Sequence, residues 1–296
     1  MTIDGAGTLG RRIATVFAAG GSDVRVFDTS AEQREAGQDY VEQHATEVAQ
    51  ALDLRPDRTG RVEVAGDRAE AVAGAWLVIE SVPETIEIKT DVFGELDRVA
   101  EPDAVLATNS SSLPSRLLID KVERPERVLN MHYQQPPELN AVELMTCGKT
   151  DPEVIDALMD KLPDYGLAPF RVRRESDGFI FNRIWAAIKR ECLMVVEEGV
   201  ASPEDVDEMW RIFTRPGIPP FALMDRVGLD VVLAIEEHYA DVRDGIPEGP
   251  RTLLRRYIDE GRPGSRGGPP HSAPRWRARR RGRRDPSAGT AGRPHR

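Results

Sequence analysis

His132 and Glu143, eleven residues apart in this 296-residue chain, are a pair whose types suit proton transfer near neutral pH. An imidazole changes charge close to pH 7, and a carboxylate beside it can fix its tautomer and stabilise the imidazolium. Glu143 lies in the apolar run Ala141-Val142-Glu143-Leu144-Met145. An unpaired charge buried there would cost several kcal/mol, so the carboxylate needs a partner, and His132 is the obvious one. Such a pair, taken alone, also suits a purely structural hydrogen bond. The residues upstream bear on that choice.

The opening Thr2-Ile3 reads as the stub of a strand, and Gly5-Ala6-Gly7-Thr8-Leu9-Gly10 follows it. Arg11 to Ala18 then reads as a helix with Ile13, Val16 and Phe17 on one face. In this arrangement Gly5 permits the tight turn, Gly7 lets backbone approach a pyrophosphate, and Gly10 lets the helix lie close on the sheet. Free N–H groups at the helix start would hold the anion. Val24 to Phe27 is a second strand, and Asp28 stands at its end, where a carboxylate can bond both ribose hydroxyls of an adenosine. Thr29 and Ser30 follow it, with no arginine directly after to receive a 2′-phosphate, so NAD is expected rather than NADP.

Strands and helices alternate beyond this point. Thr29–Leu54 reads as a helical region, Arg61–Val64 as a strand, Asp67–Gly74 as a helix and Trp76–Ile79 as a buried strand. The amphipathic helix Ile86–Val99 and the strand Val105–Thr108 follow. This order indicates an α/β Rossmann-type, doubly wound sheet, whose ligands sit at the strands' carboxyl ends. By that rule Glu84 and Asn109-Ser110-Ser111-Ser112 face the cofactor crevice, and the strand Val128–Met131 delivers His132 to the same edge. Without the rule the serines would be an ordinary polar loop. Asp151–Leu162 is a helix and Pro169–Val172 a closing strand. After Glu175-Ser176-Asp177-Gly178 the chain becomes all-α: a long helix Phe179–Val200 with Ile180, Ile184, Ile188 and Cys192 at four-residue spacing, then helices begun at Pro203, Pro220 and Asp230. Phe179 and Trp185 read as core, and Asn182 as a polar contact at a domain junction. Arg183 and Lys189 also stand out on this helix. The division expected is 1–175, 176–261 and a tail of 262–296.

Composition sets bounds. Hydrophobic content of 40% and charged content of 30% belong to a globular protein with room for two cores. No run of 18 apolar residues is present and the N-terminus has no signal-peptide pattern, so the cytosol is expected, with no membrane association. Cys147 and Cys192 make no metal-type spacing and read as reduced core residues, and no metal site is expected. Residues 262–296 hold 11 arginines and one acid, Asp285; removing that net +10 from the overall −10 leaves −20 on residues 1–261. So acidic a body argues against nucleic acid as the main partner.

Jointly, the glycine turn, Asn109-Ser110-Ser111-Ser112-Leu113, His132, Glu143 and Gly178-Phe179-Ile180-Phe181-Asn182-Arg183 resemble the 3-hydroxyacyl-CoA dehydrogenases over residues 1–260. The resemblance implies a homodimer with a Rossmann domain and a helical C-terminal domain. It implies NAD-dependent oxidation of an L-3-hydroxyacyl-CoA to the 3-ketoacyl-CoA. It implies His132 as base, Glu143 as its orienting carboxylate, Ser111 bonding the substrate oxygen and Asn182 placing the thioester carbonyl and nicotinamide. Glu84 and Lys89 match positions on the cofactor's ribose and nicotinamide side. A dehydrogenase of free hydroxy acids or sugar acids, or a non-catalytic NAD-binding protein, would share the frame.

The chain departs from that pattern in several places. His132-Tyr133-Gln134-Gln135-Pro136 replaces the usual His-Phe-Phe-Asn-Pro, and residues 40–55 lack lysines for the CoA phosphates. Asp4 stands where an apolar residue usually precedes the glycine, and the first strand is short, as though upstream residues were absent. From Arg262 the sequence turns to Arg, Pro and Gly, too polar to bury a core, and disorder is expected. Our expectation is that this stretch is read out of frame; sequencing the coding DNA tests it, and a single-base shift that restores no glycine-aromatic ending ends the idea. A basic arm for nucleic acid is the functional alternative.

Overall fold

The computed structural model describes residues 1–56, 58–214 and 219–264. Contacts divide the described residues into two compact units, the first ending at Arg183 and the second starting at Ile184.

The first unit is built on an eight-stranded sheet of order β3-β2-β1-β4-β5-β6-β7-β8. Its strands are β1 (Thr2–Asp4), β2 (Val24–Phe27), β3 (Val62–Val64), β4 (Leu77–Glu80), β5 (Val105–Thr108), β6 (Val128–Gln135), β7 (Leu139–Thr146) and β8 (Ala168–Val172). Every pairing is parallel except β6 with β7. Helices α1 (Thr8–Ala19), α2 (Ala31–Ala51), α3 (Arg68–Val72), α4 (Ile86–Val99) and α5 (Pro152–Lys161) make the connections. Strand order reverses between β1 and β4, the switch point beside which such sheets hold ligands.

Alternating residues bury the sheet on both faces. Ile3, Val26, Ile79, Ala107, Leu129 and Met131 join Val16 and Phe17 of α1 in one core. Val78, Leu106 and Val128 join Phe93 and Leu96 of α4 in the other. Parallel strands covered on both faces read as the continuous apolar runs seen in the sequence. β6 pairs with β5 only as far as Thr108↔Asn130, so His132 stands just past the carboxyl end of its parallel neighbour. It does not end its strand, because β6 runs on to Gln135 in a hairpin with β7.

The second unit packs the rest of α6 (Phe181–Glu197) with α7 (Pro203–Thr214), α8 (Pro220–Val227), α9 (Leu229–Val242) and α10 (Gly249–Asp259). Leu193, Phe221, Met224, Val232, Leu253 and Leu254 form its core. Ser202 caps α7, accepting from Asp205 N at 3.1 Å while its hydroxyl donates to Asp205 Oδ2 at 2.7 Å.

Three expectations are corrected. The long helix begins at Phe181, not Phe179, because Gly178 (φ 75°) and Phe179 (φ 54°) are left-handed and cannot continue a right-handed helix. Ile180 and Ile184 are exposed, so the four-residue apolar repeat is buried only toward Ile188 and Cys192. The basic tail starts later than Arg262: Leu229 N donates to Pro263 O at 2.8 Å, and Arg262 lies over the Tyr257 ring. Residues 265–296, on which the disorder and frame expectations fall, lie outside the described residues. Cys147 and Cys192 are buried free thiols. No helix among the described residues is long and apolar enough to cross a membrane.

Candidate active site

The glycine turn is built by exclusion. A Cβ on Gly5 (φ 111°) would stand 2.5 Å from Ser81 O, and one on Gly10 would stand 1.9 Å from Gly5 O, so neither position admits a side chain. Gly7 differs: a Cβ there would meet nothing within 4 Å. Gly7 is also the N-cap of α1, and no side chain caps that helix start. Tight packing behind the turn and open backbone N–H groups in front of it fit a pyrophosphate. Ala6 is fully buried, Leu9 half-buried and Thr8 exposed at the helix start. Asp28 accepts from Ala6 N with Oδ2 and from Ser30 N with Oδ1, both at 2.9 Å. Its carboxylate is thereby fixed at the mouth of the turn with lone pairs left for ribose hydroxyls. The residues present fit a dinucleotide.

Asp4, anomalous in the sequence, has a reason in the fold. It is 1% exposed and pairs with Arg68 Nε at 2.6 Å, 64 residues away. Burial pushes its carboxyl above the ordinary range against the pull of that arginine.

Antiparallel register places His132 directly opposite Glu143. His132 Nδ1 lies 2.8 Å from Glu143 Oε2, with both side chains about 95% buried. The other oxygen, Oε1, accepts from Ile180 N (2.7 Å) and Phe181 N (2.9 Å), the amides where α6 starts. Burial raises the Glu143 carboxyl, but His132 and these two N–H groups outweigh it and hold the group below its usual value. Phe179 stacks on the imidazole at 4.7 Å and 20°. The carboxylate on Nδ1 calls for the proton there, which leaves Nε2 as the basic nitrogen; among the described residues Nε2 has no hydrogen-bond partner. The arrangement can therefore accept a proton from a hydroxyl and stabilise the resulting imidazolium.

Glu84 and the serines are also brought together. Glu84 Oε1 accepts from Ser110 Oγ, from Ser112 Oγ (2.8 Å) and from Ser112 N (3.2 Å). The loop is stitched to β6 on both sides of Asn109-Ser110-Ser111-Ser112. Asn109 Oδ1 accepts from Tyr133 N at 3.1 Å, and Asn130 Oδ1 accepts from Ser115 N at 2.7 Å. Ser111 is exposed and Asn182, second in α6, is half-buried; neither side chain makes a hydrogen bond among the described residues. Lys89 is 1% exposed and faces Glu80.

Sequence reasoning passed over Glu80, Asn130 and the stacking role of Phe179. Glu80 ends an apolar strand next to Ser81, and the demand for a partner that pointed to Glu143 applies to it equally. Among the described residues no group of His, Cys, Asp and Glu is placed to hold a metal ion.

Comparison with known proteins gives a consistent result. Residues 1–176 match the family model for 3-hydroxyacyl-CoA dehydrogenase, NAD binding domain, and residues 178–270 that for 3-hydroxyacyl-CoA dehydrogenase, C-terminal domain. The 5-formyl-3-hydroxy-2-methylpyridine 4-carboxylate 5-dehydrogenase of Mesorhizobium japonicum is 34% identical over 240 residues, 79% of this chain and 78% of its own. A probable 3-hydroxybutyryl-CoA dehydrogenase of Bacillus subtilis is 32% identical over 271 residues, 90% of this chain and 94% of its own. The solved structure of (S)-3-hydroxybutyryl-CoA dehydrogenase from Ralstonia eutropha aligns with a TM-score of 0.79 at 28% identity, covering 90% of this chain and 95% of that one. NAD is the cofactor that the N-terminal match carries with it. With its Rossmann sheet and helical second unit, this oxidoreductase chain belongs to the 3-hydroxyacyl-CoA dehydrogenase family.

Proposed function

We propose that the chain oxidises the 3-hydroxyl of an L-3-hydroxyacyl-CoA to the ketone. The observation that carries this reading is the buried His132–Glu143 pair with Nε2 left as the base. His132 Nε2 takes the hydroxyl proton as the C3–H bond breaks, and Glu143 stabilises the imidazolium that forms. NAD, when bound, supplies the acceptor for the hydride. Ser111 donates to the substrate oxygen, and Asn182 orients the thioester carbonyl. Gly5, Gly7 and Gly10, with Asp28, hold the dinucleotide.

A second reading, oxidation of a free hydroxy acid, has its own support. The Mesorhizobium relative is named for a pyridine carboxylate rather than a thioester. In this chain Gln134, where most members carry Phe, also reaches toward the dyad, its Nε2 3.5 Å from Glu143 Oε2. A polar amide at that position suits a polar substrate better than an acyl chain does.

One assay separates the readings: initial rates of NADH oxidation with acetoacetyl-CoA and with acetoacetate. The thioester reading expects kcat/KM to favour acetoacetyl-CoA by about 100-fold or more. The reverse preference makes the chain a hydroxy-acid dehydrogenase. Cofactor binding with no turnover of either keto compound with NADH, or of any hydroxy acid with NAD, makes it a non-catalytic binder.

A further inference from the structure

Three consecutive serines stand at the carboxyl end of β5, and the structure treats them unequally. Ser110 and Ser112 are both bonded to Glu84, one on each side of Ser111. Ser110 Oγ also accepts from Leu113 N at 2.8 Å, closing the loop on itself. Of the three, only Ser111 has a side chain with no hydrogen bond among the described residues, and the residue is exposed.

What holds Glu84 is the second half of the device. Lys89 lies one turn into α4, whose side chains tilt back toward the helix N-terminus. Its ammonium donates to Glu80 Oε1 at 2.7 Å and Val82 O at 3.1 Å, and forms an ion pair with Glu84 Oε2 at 3.3 Å. Two of its N–H groups are thus taken by Glu80 and Val82, and Glu84 is held beside it by charge. Glu80, fully buried at the end of β4, anchors the set. Its Oε2 accepts from Thr108 Oγ1 at 2.7 Å, and that hydroxyl accepts from Ser110 N at 3.1 Å. Two branches thus run from Glu80 into the serine loop, one through Thr108 and one through Lys89 and Glu84.

We propose that Glu84 is a positioning residue that aims the Ser111 hydroxyl by clamping the serines on either side of it, held in turn by the buried Glu80–Lys89 pair. The inference rests on the reading of Ser111 as donor to the substrate oxygen. It moves Glu84 and Lys89 from direct cofactor contact, which the family resemblance implies for them, to support of the loop, and it assigns a role to Glu80. A misplaced donor loses transition-state stabilisation while the cofactor still binds, so the loss falls on kcat.

The test uses the full chain with acetoacetyl-CoA and NADH, comparing Ser111→Ala, Glu84→Ala, Glu84→Gln and the double variant Glu84→Ala/Ser111→Ala. Residues that act through one another are non-additive. We expect Ser111→Ala and Glu84→Ala each to lower kcat about 10–100-fold, with KM for NADH within about threefold of the parent. The double variant should be no slower than Ser111→Ala, and Glu84→Gln, whose amide oxygen still accepts from both serines, should recover most of the rate. Hydrogen exchange gives a readout independent of turnover: Glu84→Ala should deprotect the amides of Ser112 and Leu113. Multiplying losses in the double variant, a loss confined to KM for NADH, or unchanged exchange at those amides overturns the proposal. If Glu84→Ala deprotects the loop but Ser111→Ala leaves kcat unchanged, the clamp stands as structure and the reading of Ser111 fails, taking the catalytic consequence with it.

Discussion

Glu143 gives one carboxylate oxygen to His132 and the other to the amides of Ile180 and Phe181, where α6 starts. The same side chain therefore sets the tautomer of the base and fixes where the helix carrying Asn182 begins. Replacing the base should remove the chemistry and spare the cofactor: we expect His132→Gln to lower kcat about 10²–10⁴-fold, with NADH affinity within about threefold. Glu143→Gln is the more diagnostic change. Its amide oxygen can still accept from Ile180 N and Phe181 N, but the NH₂ then faces Nδ1 and drives the ring proton to Nε2. A comparable fall in kcat is expected with the fold unchanged. Steady-state rates with an NADH fluorescence titration check both, and an equal loss of NADH binding in His132→Gln would make that histidine structural. Acid should act on the same pair. The Glu143 carboxyl is held below its usual value, so its contribution is present above the unfolded carboxyl range and is lost as pH falls through the lowered value.

Gly10→Ala should abolish dinucleotide binding without touching the dyad. The added methyl would lie 1.9 Å from Gly5 O, far inside any real contact, and the obstacle is backbone. Either α1 lifts from the sheet or the turn opens, and both displace the N–H groups that would meet the pyrophosphate. NADH affinity should fall at least about 100-fold, measured by fluorescence titration. Gly7→Ala is the useful contrast, because its methyl meets no protein atom and can only crowd the ligand. It should keep the parent's thermal stability while losing affinity.

Much of this site is legible in the sequence, and the reasons can be named. The strand–helix alternation survives because each parallel strand is a short apolar run and each helix has a face. His132 and Glu143 are legible because a carboxylate among apolar neighbours must have a partner, and a hairpin supplies one across the strands. Asp4 stands out as a departure because Arg68, which pairs with it, comes 64 residues later and nothing local links them. The second duty of Glu143 is equally hidden, since the amides it receives belong to residues 37 and 38 positions on. Periodicity from Ile180 to Cys192 marks a helix face without saying what covers it, hence the exposed Ile184. The helix α10 went unread because Gly249 and Pro250 at its start are the residues that usually signal a turn.

An exposed apolar face on α7 bears on oligomeric state. Met209 is 56% exposed, Ile212 49% and Phe213 78%, spaced so that they share one side of the helix. A face of that kind on a globular chain marks an interaction surface. Together with the homodimer implied by the family resemblance, it leads us to expect sedimentation at about twice the 32.8 kDa chain mass. Phe213→Asp should shift the equilibrium toward the single chain; a monomer for both proteins would count against this face.

Lys189 gives the pH prediction with a defined sign. It is 4% exposed in the second unit, and its ammonium makes no hydrogen bond or ion pair among the described residues. Burial is the main cause that lowers its ammonium from 10.5 to about 8; Glu236 pulls it up and Arg190 pushes it down. Arg190 itself is bound to Glu236 at 2.8 Å, so that carboxylate is already shared. Below pH 8 both folded and unfolded chains carry the proton, and the folded chain bears the cost of a buried charge. Between about 8 and 10.5 the unfolded chain holds the proton more tightly, so this lysine's contribution to stability rises with pH across that window. The gain is at most about 3 kcal/mol. Cys192, whose thiol burial pushes up to about 11, acts in the opposite direction as pH climbs, so the wild-type curve alone will not isolate the lysine. The difference between the parent and Lys189→Met does. Urea midpoints at pH 7 and pH 9.5 should show the methionine variant ahead at pH 7, with its advantage shrinking toward pH 9.5. An advantage that stays constant across that range would mean the effect is packing volume and not charge.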